Sequence, residues 1–308
     1  MKKSQRDLLT LSITMVFLSV AVVSGLILHS KASTKLEGPE SLIFAEGIVS
    51  TGHEFTLTFM PGMKEAYFTR YFPDKKINHV MRTELKSGKW QEPLPLAFSS
   101  DKWADLDPAL SPNGKRLFFV STRPSPHSVD AKIRNMDIWY ADRVGNDWGT
   151  PQYLDILNSP GKEGSPTVAK DGTLCFFSDR GREANSNSIY CSELSHGKYE
   201  EPKKLGTEVN SETSDTSPFL SADGNTLLFY STRPGGYGHA DLYVSFRRKR
   251  KWSQAQNLGP LVNTAESEYN PSVSPDGRTL YFGRNGKIYW IAIELLKISG
   301  LDTRHLHD

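Results

Sequence analysis

The apolar positions of this chain fall in short runs separated by turn residues, too brief for helices and set at near-regular spacing. The clearest are Leu117-Phe-Phe-Val120, Leu174-Cys-Phe-Phe177, Leu227-Leu-Phe-Tyr230 and Leu280-Tyr-Phe282, with Ala66-Tyr-Phe68 an earlier copy. Consecutive apolar residues suit strands that are covered on both faces. Turns precede them at Ser111-Pro-Asn-Gly114, Lys170-Asp-Gly172, Ala222-Asp-Gly224 and Ser274-Pro-Asp-Gly277, with Met60-Pro-Gly-Met63 a degenerate copy. Asn-Gly and Asp-Gly accept positive φ at little cost, so these read as hairpin turns.

Each run belongs to a longer repeat. An acidic residue opens a first strand, the turn follows, and the apolar run forms a second strand. A third strand reads Asp137-Ile-Trp-Tyr140, Ser188-Ile-Tyr-Cys191, Asp241-Leu-Tyr-Val244 and Lys287-Ile-Tyr-Trp290. The fourth opens on Trp90, Trp148, Tyr199 or Trp252, with Pro93, Pro151 or Pro202 following in the first three. Proline cannot serve a central ladder, so the fourth strand lies on the outer edge. A period of roughly 50 residues holding four such strands predicts an all-β fold, a β-propeller of four-stranded antiparallel blades. Five blades are expected, six being the alternative count. The last unit stops after its third strand, and aligning Glu40–Pro61 on Gln254–Pro275 matches Phe44 with Leu258 and Glu54 with Glu268. Residues near Ser41–Glu46 therefore supply the missing fourth strand. That closure removes open sheet edges and makes residues 39–298 one domain, followed by a tail over 299–308.

Lys2, Lys3 and Arg6 precede an uncharged stretch from Leu8 to Leu28, so residues 1–34 read as a signal peptide or an N-terminal membrane anchor. Ser30 and Ala32 offer a cleavage site, and no cysteine follows that would carry lipid. Positive charge ahead of the segment places the propeller outside the cytoplasm, periplasmic or at the cell surface. A net charge of +2 gives no case for nucleic acid as a partner. Arg247–Lys251 sits where a hairpin turn is expected and reads as a solvated turn. Cys175 and Cys191 fall on adjacent strands, where an oxidising compartment would permit a disulfide; two buried apolar thiols are the alternative.

The Ser-Pro-Asp-Gly turn, the Leu-Tyr-Phe strand, the arginine after it and the Asp-Ile-Trp-Tyr strand resemble the WD40-like PD40 repeats of TolB-type propellers. The resemblance covers nearly everything after the N-terminal segment. It implies a propeller, and a family that includes binding scaffolds, the caps of serine peptidases and polysaccharide lyases. Five units depart from the six blades of TolB.

Two columns carry candidate chemistry. Glu54, Asp105, Glu163, Asp215 and Glu268 each open a first strand. If that strand is innermost, they would ring one mouth of the channel and attract a divalent cation or a basic segment. Alternatively they pair with Arg70, Arg123, Arg180, Arg233 and Arg284, which follow 16 to 18 residues later, and serve blade stacking. Symmetry is broken at His53, at the loop Pro124–Met136 and at the glycine-rich loop Pro234–His239, where His239 joins the candidate ligand contacts. No Gly-x-Ser-x-Gly elbow marks a peptidase, and the eight histidines are too scattered for a metal-dependent lyase. The expected function is binding or scaffolding of a protein segment or glycan in the cell envelope, without a required cofactor. A carbohydrate-active enzyme with channel carboxylates is the alternative.

Overall fold

The computed structural model describes residues 41–126, 135–181 and 186–298. The expected signal or anchor and the C-terminal tail lie outside them, as does the middle of the Pro124–Met136 loop. Among the described residues no helix is long and apolar enough to cross a membrane.

Five antiparallel sheets form five blades. The innermost strands are Glu54–Phe59, Asp105–Leu110, Glu163–Val168, Asp215–Leu220 and Tyr269–Val273. Each packs against the innermost strands of the blades on either side, and the fifth meets the first, so the ring is closed. The second strands, such as Arg116–Ser121 and Thr226–Ser231, lie one place outward, and the third strands, such as Asp137–Val144 and Asp241–Arg248, beyond them.

The outer strand is broken in two. Trp90, Trp148 and Trp252 end two-residue pairings with the tip of the third strand. The ladder then resumes at Leu94–Pro95, Gln152–Tyr153 and Gln256–Asn257. Pro93 and Pro151 fall in these gaps, where no ladder N–H is required. An edge so interrupted offers little template to another chain.

Leu42–Ile43 pairs antiparallel with Lys287–Ala292, Leu42 opposite Trp290 and Ile43 opposite Tyr289. The beginning of the described chain therefore supplies the outer strand of the last blade. The core is divided into five apolar layers, each lying between two neighbouring blades. At the closing seam Phe44 packs edge-on against Phe59 of the first blade and Tyr281 of the fifth, at 5.8 and 5.3 Å between ring centroids, and against Trp90 at 5.5 Å. Cys175 and Cys191, directly opposite on the second and third strands of the third blade, are joined in a disulfide.

Because the Velcro-like strand is short, its grip comes from burial of Phe44 more than from its hydrogen bonds. Phe44→Ala should destabilise the propeller by about 3–5 kcal/mol, the usual cost of truncating a buried aromatic. Urea unfolding followed by tryptophan fluorescence measures it; a loss under about 1 kcal/mol would mean that closure does not depend on this seam.

Candidate functional site

The acid and arginine columns meet inside each blade. Glu54, Asp105, Glu163, Asp215 and Glu268 are each fully buried, and their arginines expose 12 to 18% of their side chains. The ion pairs are short: Arg70–Glu54 2.7 Å, Arg123–Asp105 2.5 Å, Arg180–Glu163 2.9 Å, Arg233–Asp215 2.7 Å and Arg284–Glu268 2.7 Å. A carboxylate out of water must be paired and hydrogen-bonded, and these are both.

The same groups clamp the connections between blades. Each arginine also donates to a carbonyl of the preceding connection, among them Val49, Phe98, Val209 and Val262. Four of the five connections return a hydroxyl to the acid: Thr51 to Glu54 at 2.6 Å, Ser159 to Glu163 at 2.6 Å, Ser211 to Asp215 at 2.7 Å and Thr264 to Glu268 at 2.7 Å. One residue earlier, Asn158, Asn210 and Asn263 accept from the N–H and donate to the C=O of Ile138, Ile189 and Leu242 on the previous third strand. A two-residue Asn-Ser or Asn-Thr step thus fastens one blade to the acid of the next.

The balance differs between blades. Burial would raise the Glu54 carboxyl, but the Thr51 hydroxyl and amide, the His53 amide and Arg70 outweigh it and hold it below the usual range. At Asp105 and Glu163 burial wins and raises the carboxyl despite the paired arginine.

None of the five acids lines a channel cavity. The candidate carboxylate ring at a funnel mouth is replaced by five closed clamps, because each acid turns into the seam beside its arginine. His53 is exposed, its ring edge-on to Tyr71 at 6.4 Å, and lies outside the cavities; His239, also exposed, lines one of them. Tyr237 and Gly238 of the glycine-rich loop donate their amides to Asp241.

The waist of the channel is built by residues that the sequence reading passed over. Two positions after each acid the backbone is left-handed at a non-glycine residue: Thr56, Asp107, Ser165, Ser217 and Asn270, with φ between 46 and 52°. The ladder shifts register at each of these points. Such bulges turn side chains into new directions, and here they make a polar waist. Thr56 donates to Asp107 at 2.8 Å, Ser165 donates its hydroxyl at 2.8 Å and its amide at 3.1 Å, and Asn270 bonds Thr56 at 2.7 Å. Ser165 and Ser217 share a hydrogen bond of 3.3 Å. A proline follows at 108, 166, 218 and 271, with Leu57 in the first blade. The repeated polar-Pro pair was the signal that could have revealed the waist.

On one side of the waist is an apolar funnel of about 370 Å³ walled by Pro108, Pro166, Pro218 and Pro271. On the other is a cavity of about 370 Å³ lined by Phe55, Phe177, Tyr230, Tyr269 and Asp107. Among the described residues Asp107 is the single carboxylate lining either cavity. Burial raises its carboxyl above the ordinary range, against the hydrogen bonds of Ser165 and Thr56. Among the described residues no group of three or more His, Cys, Asp or Glu is placed to hold a metal ion.

No protein-family model matches the chain, and no curated protein matches it. Solved structures similar to it include TolB from Acinetobacter baumannii, at TM-score 0.46 and 18% identity over 77% of this chain. The chain spans 54% of that TolB chain. A gluconolactonase from Xanthomonas campestris is similar at TM-score 0.49 and 10% identity, covering 86% of this chain and 99% of its own. An α-L-arabinofuranosidase from Podospora anserina is similar at TM-score 0.48 and 11% identity, covering 84% and 94%. No activity is carried over from them.

Two predictions follow from the charges. Arg123→Met strands a buried carboxylate and should cost about 3–5 kcal/mol in urea unfolding, while adding Asp105→Leu should restore most of the loss. A double variant no more stable than the single one would show that the pair is not the clamp. Asp107 has its folded pKa above its unfolded one, so its contribution to stability is present below the unfolded pKa and lost as pH rises through the folded pKa. The melting temperature of Asp107→Asn relative to the parent should therefore climb as pH rises above the ordinary aspartate range. A flat difference over that rise would show that Asp107 does not titrate this way.

Proposed function

We propose that this chain is an extracytoplasmic β-propeller that works as a binding module, taking its ligand at the aromatic mouth of the central channel. One observation carries the reading. The carboxylates repeated in every blade are consumed by the clamps, while the unrepeated groups Asp107, His239 and the aromatic side chains gather around one cavity. A feature present in all blades serves stacking; a ligand requires the symmetry to be broken. The location rests on the charged and then apolar N-terminal sequence and on the Cys175–Cys191 bond, which suits an oxidising compartment.

The carbohydrate-active alternative asks for two carboxylates flanking the scissile bond. Among the described residues the channel cavities offer Asp107 alone, which favours binding over turnover.

Thr232 lines the mouth and is exposed, so a larger side chain there blocks the cavity without disturbing the core. The full chain should bind members of a panel of peptides and oligosaccharides without converting them. Thr232→Trp should abolish that binding at an unchanged melting temperature. Turnover of any glycan that is lost in Asp107→Asn would instead make the protein an enzyme.

A further inference from the structure

We propose that the channel mouth holds a cationic side chain, the guanidinium or ammonium of an arginine or lysine on a partner protein segment, with Asp107 as its counter-charge. This rests on the reading of the mouth as a binding site and names the chemistry it selects.

Asp107 is 4% exposed. Its partners are neutral donors, namely Thr56, the hydroxyl and amide of Ser165, and a longer contact from Asn270 at 3.4 Å. Among the described residues no cation bonds it, whereas each of the five repeated acids has its own arginine. Asp241 is also buried and held by neutral donors, but it faces the glycine-rich loop. Asp107 differs in lining a cavity open to a ligand. A buried anion at the floor of a cavity is stabilised most by a cation.

The wall of the mouth is aromatic. Phe55, Phe177, Tyr230 and Tyr269 come from four different blades, and each is half-buried. Each sits across the ladder from a smaller residue: Phe55 from Thr69, Phe177 from Gly164, Tyr230 from Thr216, Tyr269 from Gly283. Space for two of the rings is made by glycine. A Cβ at Gly164 would come within 2.2 Å of the Phe177 ring, and one at Gly283 within 2.2 Å of the Tyr269 ring. The Tyr269 hydroxyl is fixed by the Gly286 amide at 2.9 Å. Aromatic faces attract cations and exclude the water that would screen the charge.

The same cavity holds an unpaired hydroxyl. Thr216 is 2% exposed, lines the same cavity, and its hydroxyl has no hydrogen-bond partner. It can accept one N–H of a guanidinium or ammonium. A sugar would also stack on the rings, but only a cation favours ionisation of the Asp107 carboxyl, whose charged form burial disfavours in the free protein.

Fluorescein-labelled nine-residue Gly/Ser peptides with a central Arg, Lys, citrulline or norleucine test the idea by anisotropy on the full chain. Arg or Lys should bind at least about tenfold more tightly than its neutral counterpart. Asp107→Asn should erase that preference. Phe177→Leu and Tyr230→Leu, checked for unchanged melting, should weaken charged peptides by about fivefold or more. Equal binding of charged and neutral peptides, blocked by Thr232→Trp, overturns the cationic ligand and leaves the binding site standing. Oligosaccharides that bind there while peptides do not overturn it in favour of a glycan. If no probe responds to Thr232→Trp, the cationic ligand and the binding-module reading fall together.

Discussion

Five carboxylates removed from water in one molecule impose the condition on which everything else rests: each must be answered where the blades meet. The answer is a relay. At three of the five junctions a connection asparagine completes the third strand of one blade and the next Ser or Thr donates to the acid of the following blade, where the arginine closes on that acid and on a carbonyl of the connection. Removing a partner from such a relay leaves a charge unpaired, a larger penalty than losing a surface ion pair. The phenylalanines beneath the arginines add to this, as at Phe229, 5.4 Å from Arg233, and Phe176, 5.3 Å from Arg180. Apolar layers supply the bulk of the attraction between blades; the relay fixes their register.

A ring held this firmly can carry strain at its centre. Five non-glycine residues in the left-handed region cost backbone energy individually, and they persist because strand pairing holds on both sides of each bulge, offset by one residue across it. What the bulges give is direction: polar side chains that would otherwise alternate along the strand converge on the axis and divide the channel. The waist is therefore a product of blade stacking, and its one charge is the point where chemistry departs from symmetry.

Strand order, the Asp-Gly turns and the closing strand were legible in the sequence because each is local and periodic. The alignment that set Phe44 against Leu258 located the Velcro seam, since both occupy the same place beside a third strand. The acid and arginine columns were legible too, but not the direction in which they turn. That depends on connection residues such as Ser159 and Ser211, whose role appears only when the blades pack. The aromatic mouth was hidden for a different reason. Its rings alternate between the first strand at Phe55 and Tyr269 and the second at Phe177 and Tyr230, so no single alignment column contains them. Cross-strand complementarity of large with small, the unit of sheet packing, distributes one functional surface over two columns.

That distribution also shows where the symmetry breaks. The second blade has Leu106 opposite Val120 and contributes no aromatic residue at that position. It is also the blade whose waist residue is charged, the others presenting Thr56, Ser165, Ser217 and Asn270. One blade therefore supplies the anion and no ring, and four supply rings and no anion. Had an aromatic stood at Leu106, the wall would close evenly around the axis, and had Asp107 been serine the waist would be neutral throughout. Both departures sit on adjacent residues of one strand, so a ligand entering from this side meets a directional site even though the scaffold beneath it is five-fold in plan.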